Sequence, residues 1–472
     1  MGGTTGKITH VGVAPEVTFG TAVAATNYLK YSSESIALGI EDLVEASLNA
    51  IRDEGASYHG LKTIAGDTVH EVHPAGLGIL LRSALGAPVT TDNTGSYTHV
   101  YTPLATRSRA TGTAIAGTGA TTITVTGTPW TANVYIGRWC HIITGSGIGQ
   151  WAPITANSTS ALTCATSPAA ASGDTFEIVD GPQHCALPPY TMEISRDMTG
   201  ATPSFQYKGM VVNNLSFTIG VGQKIMNTTA SWLGQNWAGI AATTPTLPTT
   251  EPFMWDDCIL GVGKVTEETA TGGAAATIIH TGAGWTTNAY TGYIVLTTAG
   301  TGANQCRKIA SNTADTLTVT PNWTVTPSTD TVFKVFYASN LIETITFGWN
   351  NGLVGVPTLN NTNYISSILN DGFRTGTISK TIIPEDVIDF STYYAGWTTR
   401  EWCLYFHGAA ITGAHYYDAI FYFPKVMFTA FPLNIGGGGR VTVAAGAKIK
   451  FDNTAGYFCK IFLQNNTSSY IV

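Results

Sequence analysis

The sequence predicts a mainly β protein of the α+β kind, built from a duplicated unit plus two copies of a smaller inserted all-β module. Three observations predict it. Most segments alternate, or are rich in β-branched and aromatic residues, between Gly, Asn, Pro and Thr clusters. One order of elements occurs twice along the chain. A gap-free internal repeat lies between the two occurrences.

Strand patterns run from TITVTG at 122–127, through YTMEIS at 190–195 and LSFTIG at 215–220, to RVTVAAGAKIKF at 440–451. Two segments read as helices. Pro74 to Gly86 places Leu77, Leu80, Leu81, Ala84 and Leu85 on one face, with Pro at the first turn and Gly at the end. Pro384 to Gly396 has the same Pro-to-Gly length, and Glu385 and Asp386 complement the helix dipole in its first turn. A short helix is also expected around Glu41 to Ile51.

The two main helices expose the duplication. Each follows a strand that opens on Gly eight positions earlier, at Gly66 and at Gly376. Upstream lie ESIALG from Glu34 and ETITFG from Glu343; downstream lie strands from Tyr190 and Arg400. Gly-rich turns follow, after Ile219 and after Ile435. The expected units are 1–106 with 182–264, and 339–472. The sharper repeat matches 122–163 to 277–318 at an offset of 155, with roughly 16 of 42 positions identical. Trp130, Thr131, Asn133, Tyr135 and Gly137 recur as Trp285, Thr286, Asn288, Tyr290 and Gly292. These modules, about 107–181 and 265–338, are strand-rich and read as insertions on exposed loops.

Composition narrows the function. Of 472 residues only 11% are charged, against a usual quarter, while Gly numbers 52 and aromatics reach 10%. This is not a disordered profile; neutral Thr, Ser, Asn and Gly suit exposed strand faces and turns. Net charge is -7 with 23 Lys and Arg scattered along the chain, so no basic footprint for wrapping nucleic acid exists. Seven widely spaced Cys contain no CxxC and read as buried thiols. The N-terminal MGGTTGKITHVGVAPE lacks an apolar run, so no signal peptide is expected. No stretch of eighteen apolar residues predicts a membrane span.

A search for chemistry finds none that holds. Gly145-Ser-Gly-Ile-Gly precedes a strand pattern, whereas a phosphate loop needs a following helix. His70 and His73 stand three apart on a predicted strand, pointing to opposite faces. No nucleophile elbow or Cys–His couple stands out, and Trp255-Asp256-Asp257 reads as an exposed loop before a cation site. The recurring Trp130 with Tyr135, and Trp285 with Tyr290, read as module cores before a carbohydrate groove. No catalytic residue, metal or cofactor is expected. One charge feature stands out. Residues 31–73 carry eight acids against Arg52 and Lys62, among them Glu34, Glu41, Asp42, Glu45, Asp67 and Glu71. They form either a solvated sheet face or a wall that denies nucleic acid the counterion-release gain of binding.

The stretch Glu16-Val-Thr-Phe19-Gly20-Thr21-Ala22, the Glu34 strand, the Gly66 strand with its helix, and the closing run from YFPKVMFTAFPLNI to CKIFLQNN resemble the tail tube (major tail) proteins of long-tailed phages. The likeness covers roughly 1–106, 182–264 and 339–472. It implies tail-tube-like β-sandwich units, each flanked by one helix, that pack side by side into rings. Leu77, Leu81, Val387 and Phe390 become candidate ring-packing positions, and the six acids a candidate lumen lining. It further implies a virion protein assembled in the host cytoplasm, with itself, a tape measure protein and tail terminator and tip proteins as partners. DNA would pass without specific binding. Rings of this kind have six units, so a chain carrying two favours a trimer over a hexamer. The competing reading is a receptor- or carbohydrate-binding tail protein acting through the repeated modules.

Overall fold

The computed structural model describes residues 9–45, 53, 55–106, 108–116, 118–182, 185, 187–196, 198, 203–241, 243–339, 341–359, 362–384, 388–433 and 441–470. It is mainly β. Twenty-four strands join one hydrogen-bonded network, and six more form a separate sheet.

The front layer is a run of antiparallel strands. It passes from Ala37–Val44 to Ser57–Glu71, Asn227–Gly234, Ser204–Gly220, Ile342–Asn350, Thr375–Ile382, Val443–Ile449 and the end of His415–Ala430. Period-two alternation sends one side chain set inward: Leu215, Phe217, Trp232, Ile345, Phe347, Trp349 and Ile378 are buried. Behind them stands a second layer of Cys258–Thr269, Thr399–Thr412, the start of His415–Ala430, Lys460–Asn465 and Tyr97–Tyr101. Its inward set includes Trp402, Leu404, Phe406, Phe421 and Phe423. The layers meet through aromatic contacts, with Phe421 5.1 Å from Phe217 and 4.9 Å from Phe347.

The helix Pro74–Leu85 forms as read from the sequence. Pro74 occupies the first turn, and Gly86, at φ 96, ends the helix by donating its N–H to Arg82 O. The stretch expected to be helical from Glu41 is instead strand as far as Val44; residues 46–52 lie outside the described set. Its residues pair across to Ser57–Lys62, so cross-strand bonding overrides weak helix propensity. The second expected helix is described over Asp389–Ala395 as a π-helix, with Gly396 donating to Ser391 O five residues back. Residues 385–387, Val387 included, lie outside the described set.

The repeated segments share six strands in one order, and the second adds Gly272–Ala274 beside Thr277–Ile279. In the first they run Ala110–Thr113, Thr175–Val179, Trp139–Ile142, Trp151–Asn157, Ala161–Cys164, Thr122–Thr124. In the second they run Cys258–Thr269, Val332–Ser339, Ile294–Ala299, Cys306–Asn312, Thr316–Thr320, Thr277–Ile279. Each has its own apolar core. The second sits on the outer side of the back layer, where Ile294, Leu296, Cys306 and Phe336 pack on Cys403, Tyr405, Ile420 and Tyr422.

Candidate functional site: the open sheet face

The side of the front layer that faces away from the core is paved with small neutral groups. Reading across paired positions, it carries Thr63, Ala65 and Val69, then Thr229 and Ser231, then Asn214, Ser216 and Thr218. It continues with Thr344, Thr346 and Asn350, then Thr375, Thr377 and Ser379. Thr218 and Thr346 hydroxyls bond across the seam at 3.1 Å. Thr and Ser satisfy both a strand backbone and water, which explains how so weakly charged a chain keeps a wide polar surface.

The six carboxylates do not share this face. Asp67 and Glu71 stand exposed on it. Glu34 pairs with Thr68, which points to the core side, and its carboxylate grips Arg196 at 2.9 and 3.1 Å. Glu41, Asp42 and Glu45 lie beyond the sheet, on a two-stranded hairpin. Glu41 Oε2 accepts the Leu61 N–H at 3.0 Å, and Asp42 Oδ2 accepts from Ser57 Oγ at 3.3 Å. Along that hairpin Ile40, Leu43, Val44 and Tyr58 are 55%, 46%, 40% and 59% exposed.

Leu77 and Leu81 are buried inside the chain, against the sandwich core, and present no surface to a neighbour. Phe390 is half-buried and packs on Tyr394 and Phe431, 5.7 and 6.1 Å away. Beneath it Asp389 bonds Lys380 Nζ at 3.3 Å and also Arg400 Nη1. Burial holds the Lys380 pKa down, and Asp389 opposes that.

The two modules repeat their geometry as well as their sequence. Trp130 meets Tyr135, and Trp285 meets Tyr290, edge to face at 5.8 Å in both. Asn157 and Asn312 make the same clamp: Oδ1 accepts the Tyr135 or Tyr290 N–H, and Nδ2 donates to Thr131 or Thr286 O. Asn133 and Asn288 both take left-handed φ, 63 and 60. Trp130 is buried, whereas Trp285 is half-buried.

Sequence reasoning missed the buried polar fastenings. Asp180 holds Arg109 at 2.6 and 2.9 Å and Arg138 at 3.0 Å, while Arg138 Nη2 reaches Ala87 O beside the helix end. Burial pushes the Arg138 pKa down to about 10, against the pull of Asp180. Arg307 bonds Asp418 at 2.9 Å and fastens the second module in the same manner. Glu16 accepts from Gly209 N, Thr191 Oγ1 and Gly20 N, at 2.7 to 2.8 Å, which gives the Glu16–Gly20 motif a structural reason. Burial pushes its pKa up. His70 and His73 are separately committed: His70 to Lys30 O and Thr68, His73 to Thr250 O.

The chain is matched over residues 6–400 by a family model described as phage tail tube protein. The chain belongs to the phage tail tube protein family. It is therefore a structural protein of the virion tail, of a kind that self-assembles into a tube alongside other tail proteins, and the family is not a catalytic one. No curated protein matches it. Among the described residues no helix is long and apolar enough to cross a membrane.

Proposed function

We propose that this tail tube protein carries two tube units per chain, that three chains close a pseudo-six-fold ring, and that stacked rings form the tube. The observation that carries this is a repeated pairing order. In the first half Ser33–Glu34, Ser57–Glu71, Asn227–Gly234, Ser204–Gly220 and Tyr190–Ser195 pair in succession. In the second half Ile342–Asn350, Thr375–Ile382, Val443–Ile449, His415–Ala430 and Thr399–Thr412 do the same. The halves join edge to edge where Ser204–Gly220 meets Ile342–Asn350. That seam supplies a template for the next one. The free side of Ser33–Val44 in one chain meets the stretch after Phe428 in its neighbour, a heterologous contact that closes when the rotation allows it. Edge strands left unpaired are templates for such joining.

The open face then lines the lumen. Across the strands from Ser57–Glu71 to Thr375–Ile382 its hydroxyls and amides, with Asp67 and Glu71, offer DNA no cation row and hence no counterion-release gain there, so DNA slides without specific binding. The inserted modules lie outside, which the packing of the second one on the back layer supports. A tape measure protein inside the lumen and terminator and tip proteins at its ends complete the tail.

Mass measurement of solubilised rings tests the stoichiometry: three chains are expected, and six chains would sink the fused-pair reading. A chain lacking both modules is expected still to form tubes. Loss of tube formation together with loss of a glycan- or receptor-binding activity would favour the adhesin reading instead.

A further inference from the structure

The second half has its own counterpart of the exposed hairpin, and that counterpart is already docked. Leu353–Val356 and Ser367–Asn370 form a hairpin beyond the Ile342–Asn350 strand. Its Leu353, Ile365 and Ile368 are buried against Val211, Leu187, Leu61 and Leu233 at the end of the first half's front layer. Lys62 N donates to Asn363 O at 2.7 Å, and Lys62 Nζ sits 5.3 Å from the Tyr364 ring centre.

The place on the second half that corresponds to this receiving end is an open groove. Gly66 pairs with Trp232, and Gly376 pairs with Ile449, which aligns the two halves. Counting from those pairs, Thr63 corresponds to Phe373, Leu233 to Lys450 and Gly234 to Phe451. These residues line a groove of about 760 Å³ together with Leu104, Phe458 and Lys448. Phe373 is 94% and Phe451 40% exposed. Lys448 and Lys450 are exposed, and no carboxylate partner stands by either among the described residues.

We propose that the hairpin Ala37–Val44 with Ser57–Lys62 of one chain docks into this Phe373–Phe451 groove of the neighbouring chain in the same ring. The inference rests on the ring reading above and names the contact that would lock the ring. Two features fit donor to acceptor. The hairpin shows Ile40, Leu43, Val44 and Tyr58 to solvent, and the groove shows two phenylalanines. The hairpin carries Glu41, Asp42 and Glu45, and the groove carries Lys448 and Lys450. The seam inside the chain already places an equivalent hairpin on an equivalent sheet end, so no new geometry is invoked.

The test uses the full chain with Leu43→Cys and Phe373→Cys, assembled and then mildly oxidised. The background is quiet, since six of the seven native thiols are buried and Cys258 is half-buried. A reductant-sensitive ladder ending at three chains is expected on a denaturing gel. A second pair, Leu43→Cys with Val221→Cys, probes the opposite rim of a stacked ring; cross-linking there instead of at Phe373 would overturn the proposal. Tubes that form normally while the two introduced thiols of the first pair stay unlinked would overturn it too, leaving the ring reading intact. A wild-type chain that forms no rings at high concentration would remove both. Independently, Lys448→Glu with Lys450→Glu should raise the concentration needed for assembly at least tenfold. Adding Glu41→Lys with Asp42→Lys should restore it; no effect of the first pair, or no rescue by the second, counts against the proposal.

Discussion

Replacing Asp180 by Asn should loosen the first inserted module before anything else fails. Asp180 is buried and is the shared anion for Arg109 and Arg138. Arg109 keeps 14% of its side chain exposed and can turn to water, but Arg138 keeps only 3%. Its remaining fastenings are two backbone carbonyls, Val134 O and, at the helix end, Ala87 O at 3.0 Å, which carry no charge to replace that of Asp180. Stranding one buried guanidinium costs about 3 kcal/mol, the lower end of the range for breaking a buried pair. Spread over the whole chain, that penalty would move a single melting transition by only a few degrees, because the unfolding entropy scales with length. Confined to a module of roughly 70 residues, it would move that module's own transition by about 12 to 24 °C. Calorimetry should therefore resolve a new low-temperature transition in Asp180→Asn, and hydrogen exchange should assign it to strands between Ala110 and Val179. A melting curve within one degree of wild type, or one uniform shift with no module-specific exchange, would refute the reasoning.

Three further outcomes are expected. His70 and His99 are buried and neutral, with pKa values pushed down to about 4 by burial. Their folded values lie below the unfolded 6.5, so their contribution is complete above pH 6.5 and is lost as pH falls through 4, by up to about 3 kcal/mol each; thermal melts of the wild type should therefore fall more steeply between pH 7 and 4 than those of His70→Gln with His99→Gln, and parallel curves would count against it. Asn157→Ala and Asn312→Ala should each cost about 3 kcal/mol by orphaning the same backbone groups, as read by local hydrogen exchange in each module; effects differing severalfold would show the two clamps are not equivalent. Gly66→Ala should destabilise by more than about 1 kcal/mol, because Gly66 sits at φ 151 and a Cβ there would lie 2.4 Å from Ser35 O; a denaturation midpoint equal to wild type would refute it.

What the sequence carried depended on how local each feature was. The modules were legible because Trp130, Asn133, Tyr135 and Asn157 close a short-range constellation, so repeating the residues repeats the bonds. The order of elements in the two halves was legible too, but its register was not. ESIALG and ETITFG align Glu34 with Glu343 by eye. The pairing instead puts Glu34 opposite Thr68 and Phe347 opposite Ile378, a shift of four residues. Strand identity resides in the sequence, whereas register is set by the core face and by distant partners. Even the two glycines that marked the repeat have different causes: Gly66 makes room for the Ser35 backbone, Gly376 for the Phe458 ring.

The acidic stretch makes the same point at the level of function. Counting carboxylates over 31–73 predicts one surface, but a strand sends alternate residues to opposite faces and a hairpin carries others off the sheet. Glu34 is claimed by Arg196, 162 residues away, and no window of sequence contains both. The Thr, Ser and Asn that fill the open face were visible only as composition, because each strand contributes only a few of them, Ser57–Glu71 as few as Thr63 alone, and the face exists only once Ser204–Gly220 and Ile342–Asn350 are joined. If the open face lines the lumen, as proposed, a wall built from hydroxyls needs no acidic run to stay non-adhesive. It needs the absence of lysine and arginine at alternate positions on successive strands. Along the joined lanes from Ser57–Glu71 to Thr375–Ile382 that condition holds from Thr63 onward, since Lys380 turns inward to Asp389. The cations of the open side gather at Lys448 and Lys450, beside the groove, where an acidic hairpin from the next chain would neutralise them.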